Sequence, residues 1–460
     1  MLGKYLREIW SCTALLRASA NPTKTQVKVL LVMPDIKPDL QAGNYRRILG
    51  LFASGRNWGV EYVLCTGYDL RAYKEQILKY TGIELKHMFE NICMNETSIV
   101  AQSLQENVKK VHYFMLWFVV LIKIVIRLLR KVKSEVDIIH APDVIYHWVF
   151  LAYLLSVIKR RPCIITIQLI PAWIKEIYEV CKRQSKGVQC RLLSCSYVYF
   201  RQKYGLLKAI FYSIGSTMYL LILRYCDLIL VDQYSAEILK ALINKNKGIY
   251  ISFNAPFYSK GEFTMDKAKE YDCIFIGYHD ERKGVYDLIK IWRRVVDVIP
   301  SARLVTCGGV SATVLEKLNQ MIRTLGLEGN IIIKGFVSEE EKIELLSKSK
   351  IFILPTRHEA FPIAIAEALM AGLPVITSDI PELRSVWSDC PAVFFEKPGN
   401  VEGFASKVIN MLSHASYSSH YHYLSSSARE CARRFSPDSV MRREKAIYVM
   451  TLKRYEERLR

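Results

Sequence analysis

The stretch Ile351–Val386, IFILPTRHEAFPIAIAEALMAGLPVITSDIPELRSV, constrains the fold more tightly than any other part of the chain. Ile351–Leu354 is a short apolar run closed by Pro355, the pattern of a buried strand. A polar loop, Thr356–Ala360, follows. Pro362 suits a first helical turn, where its missing N–H is no loss. Good helix formers run from Ala364 to Met370 until Gly372-Leu373-Pro374 stops them. Val375–Thr377 then reads as a second strand. Strand, loop, helix and strand in this order form a crossover unit, which requires a parallel sheet. The alternation extends outward, with strands expected near 273–276, 303–306, 331–333, 351–354, 374–377 and 393–395. That is the signature of a doubly wound α/β domain.

Two carboxylates stand in the central unit. Glu359 lies in the loop, and Glu367 lies eight residues later in the helix. Between them falls the helix N-terminus at Phe361–Ile363, whose free N–H groups and dipole attract anions. Carboxylates on either side of a phosphate cradle would accept hydrogen bonds from hydroxyls, so a diphosphate joining two sugars fits. An arbitrary pair of glutamates at this spacing would read as solvated surface charge, and the surroundings decide against that reading.

The first half is also α/β. Strands are expected at Val27–Met33, Glu61–Cys65, Val136–His140, Pro162–Gln168, Leu228–Val231 and Gly248–Ser252, with helices at Tyr45–Ala53 and Val144–Lys159. Residues 1–26 do not read as a secretory signal, because Lys4, Arg7 and Glu8 break the apolar run. Residues 107–134 read as a long helix with seven Lys/Arg and no acid. Its apolar run, Tyr113–Ile122, is half the roughly 20 residues a bilayer crossing needs. Residues 181–226 carry eight Lys/Arg and no acid, with aromatics interleaved. No nucleic-acid-binding signature accompanies them, so nucleic acid is not an expected partner.

The chain carries 64 Lys/Arg against 44 Asp/Glu, net +20, which favours anionic partners. Its twelve cysteines form no CxxC pair and many fall in apolar strands, which reads as reduced thiols in a cytoplasmic protein. No His/Cys/Asp/Glu cluster has metal-site spacing.

Glu359, seven residues, Glu367, then Ala368, Gly372 and the Pro374-Val375-Ile376 strand resemble the donor-binding segment of glycosyltransferase family 4. The likeness is strong over 255–395 and thinner over 27–255. It implies a GT-B fold: two Rossmann-like doubly wound domains facing a central cleft. The expected division is an acceptor-binding domain at 1–258, a donor-binding domain at 259–437 and a helix at 438–460 returning to the first domain. The implied activity is sugar transfer from a nucleotide sugar, with retention at the anomeric carbon and without a metal or other cofactor. Glu359 and Lys283 become the candidate catalytic residues. Gly43, Arg282, Lys283, Val337, Phe361, Pro362, Ile363 and Glu367 become candidate donor-binding residues, Glu367 for the ribose and Lys283 for the diphosphate.

The sequence departs from the family pattern twice. Tyr278 stands where an arginine is expected, with Arg282 nearby, and Gln168 stands where a histidine often ends the strand. These departures motivate a non-catalytic scaffold as an alternative, and a nucleotide-sugar epimerase is another. A glycosidase using both glutamates would leave the phosphate cradle without a use. The acid-free basic segments imply a protein at the inner face of the cell membrane. It would contact an anionic surface, with a glycan or lipid-linked acceptor, in polysaccharide or glycolipid assembly.

Overall fold

The computed structural model describes residues 26–32, 55–66, 75, 89–93, 135–142, 146–167, 170–184, 192–231, 233–243, 248–251, 268–359, 361–415 and 419–460. The chain divides into two compact units. One comprises Met1–Phe253 with Val440–Arg460, and the other comprises Asn254–Ser439. Gly43, Gln168, the 107–134 segment and most of residues 1–26 lie outside the described residues.

The first unit is built on a parallel sheet of seven strands: β1 (Val27–Val32), β2 (Val60–Thr66), β3 (Phe89–Cys93), β4 (Ile138–Ala141), β5 (Cys163–Ile167), β6 (Leu228–Val231) and β7 (Ile249–Ile251). Their order is β3-β2-β1-β4-β5-β6-β7. Strands β4, β5 and β6 are buried at every residue, as expected where both faces are covered. β3 was not expected, because FENIC lacks a continuous apolar run or a clean alternation.

Five α-helices are described between the strands of this unit: α1 (Tyr146–Lys159), α2 (Ala172–Gln184), α3 (Leu192–Lys203), α4 (Leu206–Tyr225) and α5 (Gln233–Ile243). The basic, aromatic stretch around 181–226 is thus largely an α3–α4 pair packed together. The final helix contributes Tyr448 to this unit. Its hydroxyl lies 3.0 Å from Nδ1 of His140, whose Nε2 lies 2.8 Å from Thr166 Oγ1. Both ring nitrogens of this fully buried histidine are therefore engaged by the fold.

The second unit has six parallel strands: β8 (Tyr271–Ile276), β9 (Leu304–Cys307), β10 (Ile331–Gly335), β11 (Ser349–Leu354), β12 (Val375–Ser378) and β13 (Val393–Glu396). All six fall where the sequence pattern puts them. Their order is β10-β9-β8-β11-β12-β13. The helices are α6 (Val285–Val298), α7 (Ala312–Thr324), α8 (Glu339–Ser347), α9 (Ile363–Met370), α10 (Pro381–Trp387), α11 (Val401–Ala415) and α12 (Ser419–Arg433); α13 (Pro437–Leu459) begins here and from Val440 onward belongs to the first unit. α6 shows why such segments fold: Val285, Leu288, Ile289, Trp292, Val295 and Val296 recur at helical spacing and are all buried.

The cysteines correct one expectation. Cys390 and Cys431 form a disulfide, and Cys181 is also disulfide-bonded. The first pair meets because the end of α10 and the end of α12 bring two Cα atoms, 41 residues apart in sequence, to 5.8 Å. Cys65, Cys163, Cys195, Cys226, Cys273 and Cys307 are buried, behaving as small hydrophobes.

Candidate functional site

The strand order of the second unit reverses direction at β8. The chain proceeds from β8 to β9 and β10 on one side, then returns to lay β11 on the other. The loops leaving the C-terminal ends of β8 and β11 diverge at such a point and leave a crevice, where open α/β sheets bind ligands.

Here those two loops are knitted together. Arg357 N and Thr356 Oγ1 both donate to the carbonyl of Arg282, at 2.8 and 3.1 Å. The β8 loop closes in a short 3-10 turn, Glu281–Lys283, capped by the side chain of Asp280. Its Oδ1 accepts from Lys283 N at 2.9 Å. Gly284 then takes φ +75°, and a Cβ there would lie 2.0 Å from the carbonyl oxygen of Pro355. Only glycine allows that approach. Across the junction, the Lys283 ammonium is ion-paired with the Glu359 carboxylate, and both side chains are largely buried. Arg357, beside them, pairs with Asp287 of α6 at 2.7 Å.

α9 starts directly after this pair. Pro362 is its N-cap, and no side chain caps the first turn. The preceding residue is fixed by packing: Phe361 lies against Trp387 and Phe435, at ring-centroid distances of 5.7 and 5.4 Å. The helix N-terminus is therefore held in place by an aromatic cluster, with its amide dipoles at the end nearer Glu359 in the chain.

Glu367 sits one turn into α9 and is 1% exposed. Its Oε1 accepts from Lys342 Nζ at 2.7 Å, and the same ammonium pairs with Glu339 Oε1 at 2.8 Å. Lys342 and Glu339 both belong to α8, whose N-cap Ser338 accepts from Glu341 N at 3.1 Å. Val337, in the turn from β10 to α8, is half-buried.

The ends of β8, β9 and β10 are drawn together as well. Gly308 takes φ +134°, and a Cβ there would lie 2.0 Å from the carbonyl oxygen of Gly277. Its own amide donates to the Gly335 carbonyl at 2.7 Å. His279 is buried beside them, with Nε2 2.9 Å from Thr306 Oγ1 and its backbone N–H donating to Gly309 O at 2.8 Å. Burial pushes its imidazole pKa below the usual histidine value.

Lys283 and Glu359 therefore meet, and Phe361, Pro362 and Ile363 lead on into α9 from the same loop. Arg282 places its carbonyl in the junction while its exposed guanidinium lies 3.4 Å from Asp280. Tyr278 is 52% exposed. The sequence did not single out Lys342, His279 or the Arg357–Asp287 pair. Lys342 carries a local signal in its three-residue spacing from Glu339, but its bond to Glu367 depends on the packing of two helices.

These loops, this crevice and this fold define a class. Residues 263–430, most of the second unit, match the family described as glycosyl transferases group 1, and the two parallel-sheet α/β units are those of the GT-B fold. Among curated relatives, a 2-deoxystreptamine N-acetyl-D-glucosaminyltransferase of Niallia circulans is 24% identical over 165 residues, covering 36% of this chain and 41% of its own length. A GDP-mannose:cellobiosyl-diphosphopolyprenol alpha-mannosyltransferase of Xanthomonas oryzae is 26% identical over 142 residues, covering 31% and 37%. The chain thus spans about two fifths of the length of these relatives. The solved structure of Anabaena HepE in complex with UDP and glucose covers 94% of this chain and 99% of its own, with a TM-score of 0.56 at 14% identity.

Proposed function

We propose that this protein is a retaining, metal-independent glycosyltransferase that moves a sugar from a nucleotide-diphosphate sugar to a glycan or lipid-linked acceptor. The observation that carries this is the Lys283–Glu359 pair at the topological switch point, followed directly by the start of α9. Sugar transfer separates charge: the anomeric carbon becomes cation-like while the diphosphate leaves as an anion. A carboxylate and an ammonium held side by side match that separation. Glu359 would hold donor-sugar hydroxyls and stabilise the anomeric centre. Lys283, Arg282 and the α9 amides would take up the negative charge on the leaving group. Glu367, aligned by Lys342, would accept from the ribose hydroxyls, and the Val337 turn would meet the base.

HepE is described as binding UDP and glucose, and the Xanthomonas relative as acting on a diphosphopolyprenol-linked sugar. Both favour a nucleotide sugar for the second unit, which leaves the first to the acceptor. A role in cell-surface polysaccharide or glycolipid assembly follows. The acid-free basic segments would hold the protein at the cytoplasmic face of an anionic membrane. Among the described residues no helix is long and apolar enough to cross a bilayer.

A thermal-shift panel of UDP-, GDP- and ADP-sugars tests the reading, because a ligand that binds the folded state raises its melting temperature by mass action. One member is expected to raise the melting temperature of the wild type, and Glu367→Ala to abolish most of that rise. A chain that responds to no nucleotide sugar would overturn the proposal.

A further inference from the structure

We infer that His279 is a positioning residue for sugar transfer, anchoring the turn from which Lys283 reaches Glu359. The inference rests on the donor-site reading above and adds a residue to it. Among residues 277–283, His279 alone is buried; it is 2% exposed, whereas Tyr278 before it is 52% exposed. Loop residues at the rim of a crevice ordinarily face water. This ring instead packs edge-on to Phe275 of β8, at a centroid distance of 5.4 Å and an interplanar angle of 67°. Two bonds hold it there. His279 N donates to Gly309 O at 2.8 Å, and Nε2 lies 2.9 Å from Thr306 Oγ1. Thr306 belongs to β9 and is itself buried. Its hydroxyl can give or take the shared proton, so the pairing suits either tautomer of a neutral ring.

The turn that carries Lys283 follows at once. Lys283 N lies 2.9 Å from Asp280 Oδ1 and 3.2 Å from the Asp280 carbonyl, and both accept from it. The turn ends at Gly284, whose close approach to the Pro355 carbonyl fixes its far side. The lysine therefore rides on a short span between two anchors, His279–Thr306 at one end and Gly284–Pro355 at the other. Misplacing a charge-stabilising group by about 1 Å can cost up to a hundredfold in rate. The choice of side chain points to position ahead of packing. An aliphatic residue would fill the space beside Phe275 without desolvating a polar ring. Nδ1 of His279 is buried and makes no well-directed hydrogen bond, which is a poor way to stabilise a fold. What the imidazole supplies is direction: its bond to Thr306 forms at one placement of the loop, where apolar contact alone would let the loop slide.

The test follows release of nucleoside diphosphate from the UDP-, GDP- and ADP-sugar panel by the full chain, with water taking the sugar in place of the acceptor. His279→Leu is expected to lower turnover at saturating donor at least about fivefold, with donor KM within about twofold of wild type, below the melting temperature of both. His279→Gln, whose amide can still bond Thr306, is expected to recover most of that loss. In a Lys283→Ala background His279→Leu is expected to cost nothing further, because both changes act through one ammonium. Thr306→Val removes the hydroxyl and keeps the branched shape. It is expected to reproduce His279→Leu, and it carries the test if the leucine variant does not fold. Wild-type turnover in Thr306→Val or in a folded His279→Leu would overturn the inference. So would a loss of the same factor with and without Lys283, or a change confined to the melting temperature. A wild type that releases nucleoside diphosphate from no sugar in the panel would overturn the donor-site reading and this inference with it. A wild type that turns over, matched by its His279 and Thr306 variants, would overturn the inference alone.

Discussion

Lys342 holds three charges together in a place that water scarcely reaches. It, Glu339 and Glu367 are each under 10% exposed on their side chains. Removing the ammonium leaves two carboxylates without it in a poorly solvated site, and breaking a buried ion pair in this way costs about 3–5 kcal/mol. Lys342→Met is therefore expected to lower the unfolding free energy by roughly 3 kcal/mol, read from the urea midpoint at neutral pH. A midpoint equal to wild type would mean that Lys342 does not hold Glu367. Glu359 and Glu367 were legible in the sequence because a loop, a helix start and their spacing lie within one short segment. Lys342 was not, because its bond to Glu367 spans 25 residues and forms only once α8 and α9 pack. The disulfide between Cys390 and Cys431 was hidden for the same reason.

At the scale of elements, the site depends on two loops meeting closely. Gly284 is the closest approach, with positive φ and the Pro355 carbonyl where a Cβ would go. Gly284→Ala is expected to force the β8 and β11 loops apart, lower the melting temperature by several degrees and weaken donor binding together. Gly329→Ala is the control, since a Cβ there meets nothing within 4 Å. Equal melting curves and donor affinities for the two variants would contradict this account of the junction. All six strands of the second unit were legible because each is a short apolar run bounded by turn residues. In the first unit β3 was not, and α3 and α4 were read as a charged aromatic surface. Their helical spacing lies beneath residues that alternate between a buried face and an apolar exposed one, so periodicity alone does not separate the two sides.

At the scale of the whole molecule, the chemistry proposed for the second unit is economical. One lysine, one carboxylate and one helix start answer to the two charges that sugar transfer creates. The remaining basic excess, 64 against 44, lies outside that requirement and favours anionic partners. The most direct measurement of the central claim is turnover of the nucleotide sugar that stabilises the wild type, at saturating donor, in wild type, Glu359→Ala and Lys283→Ala. Each variant is expected to remain folded and to lose at least about tenfold in turnover, roughly 1.4 kcal/mol of transition-state stabilisation. Wild-type turnover in either variant would contradict the assignment of the Lys283–Glu359 junction as the site of transfer.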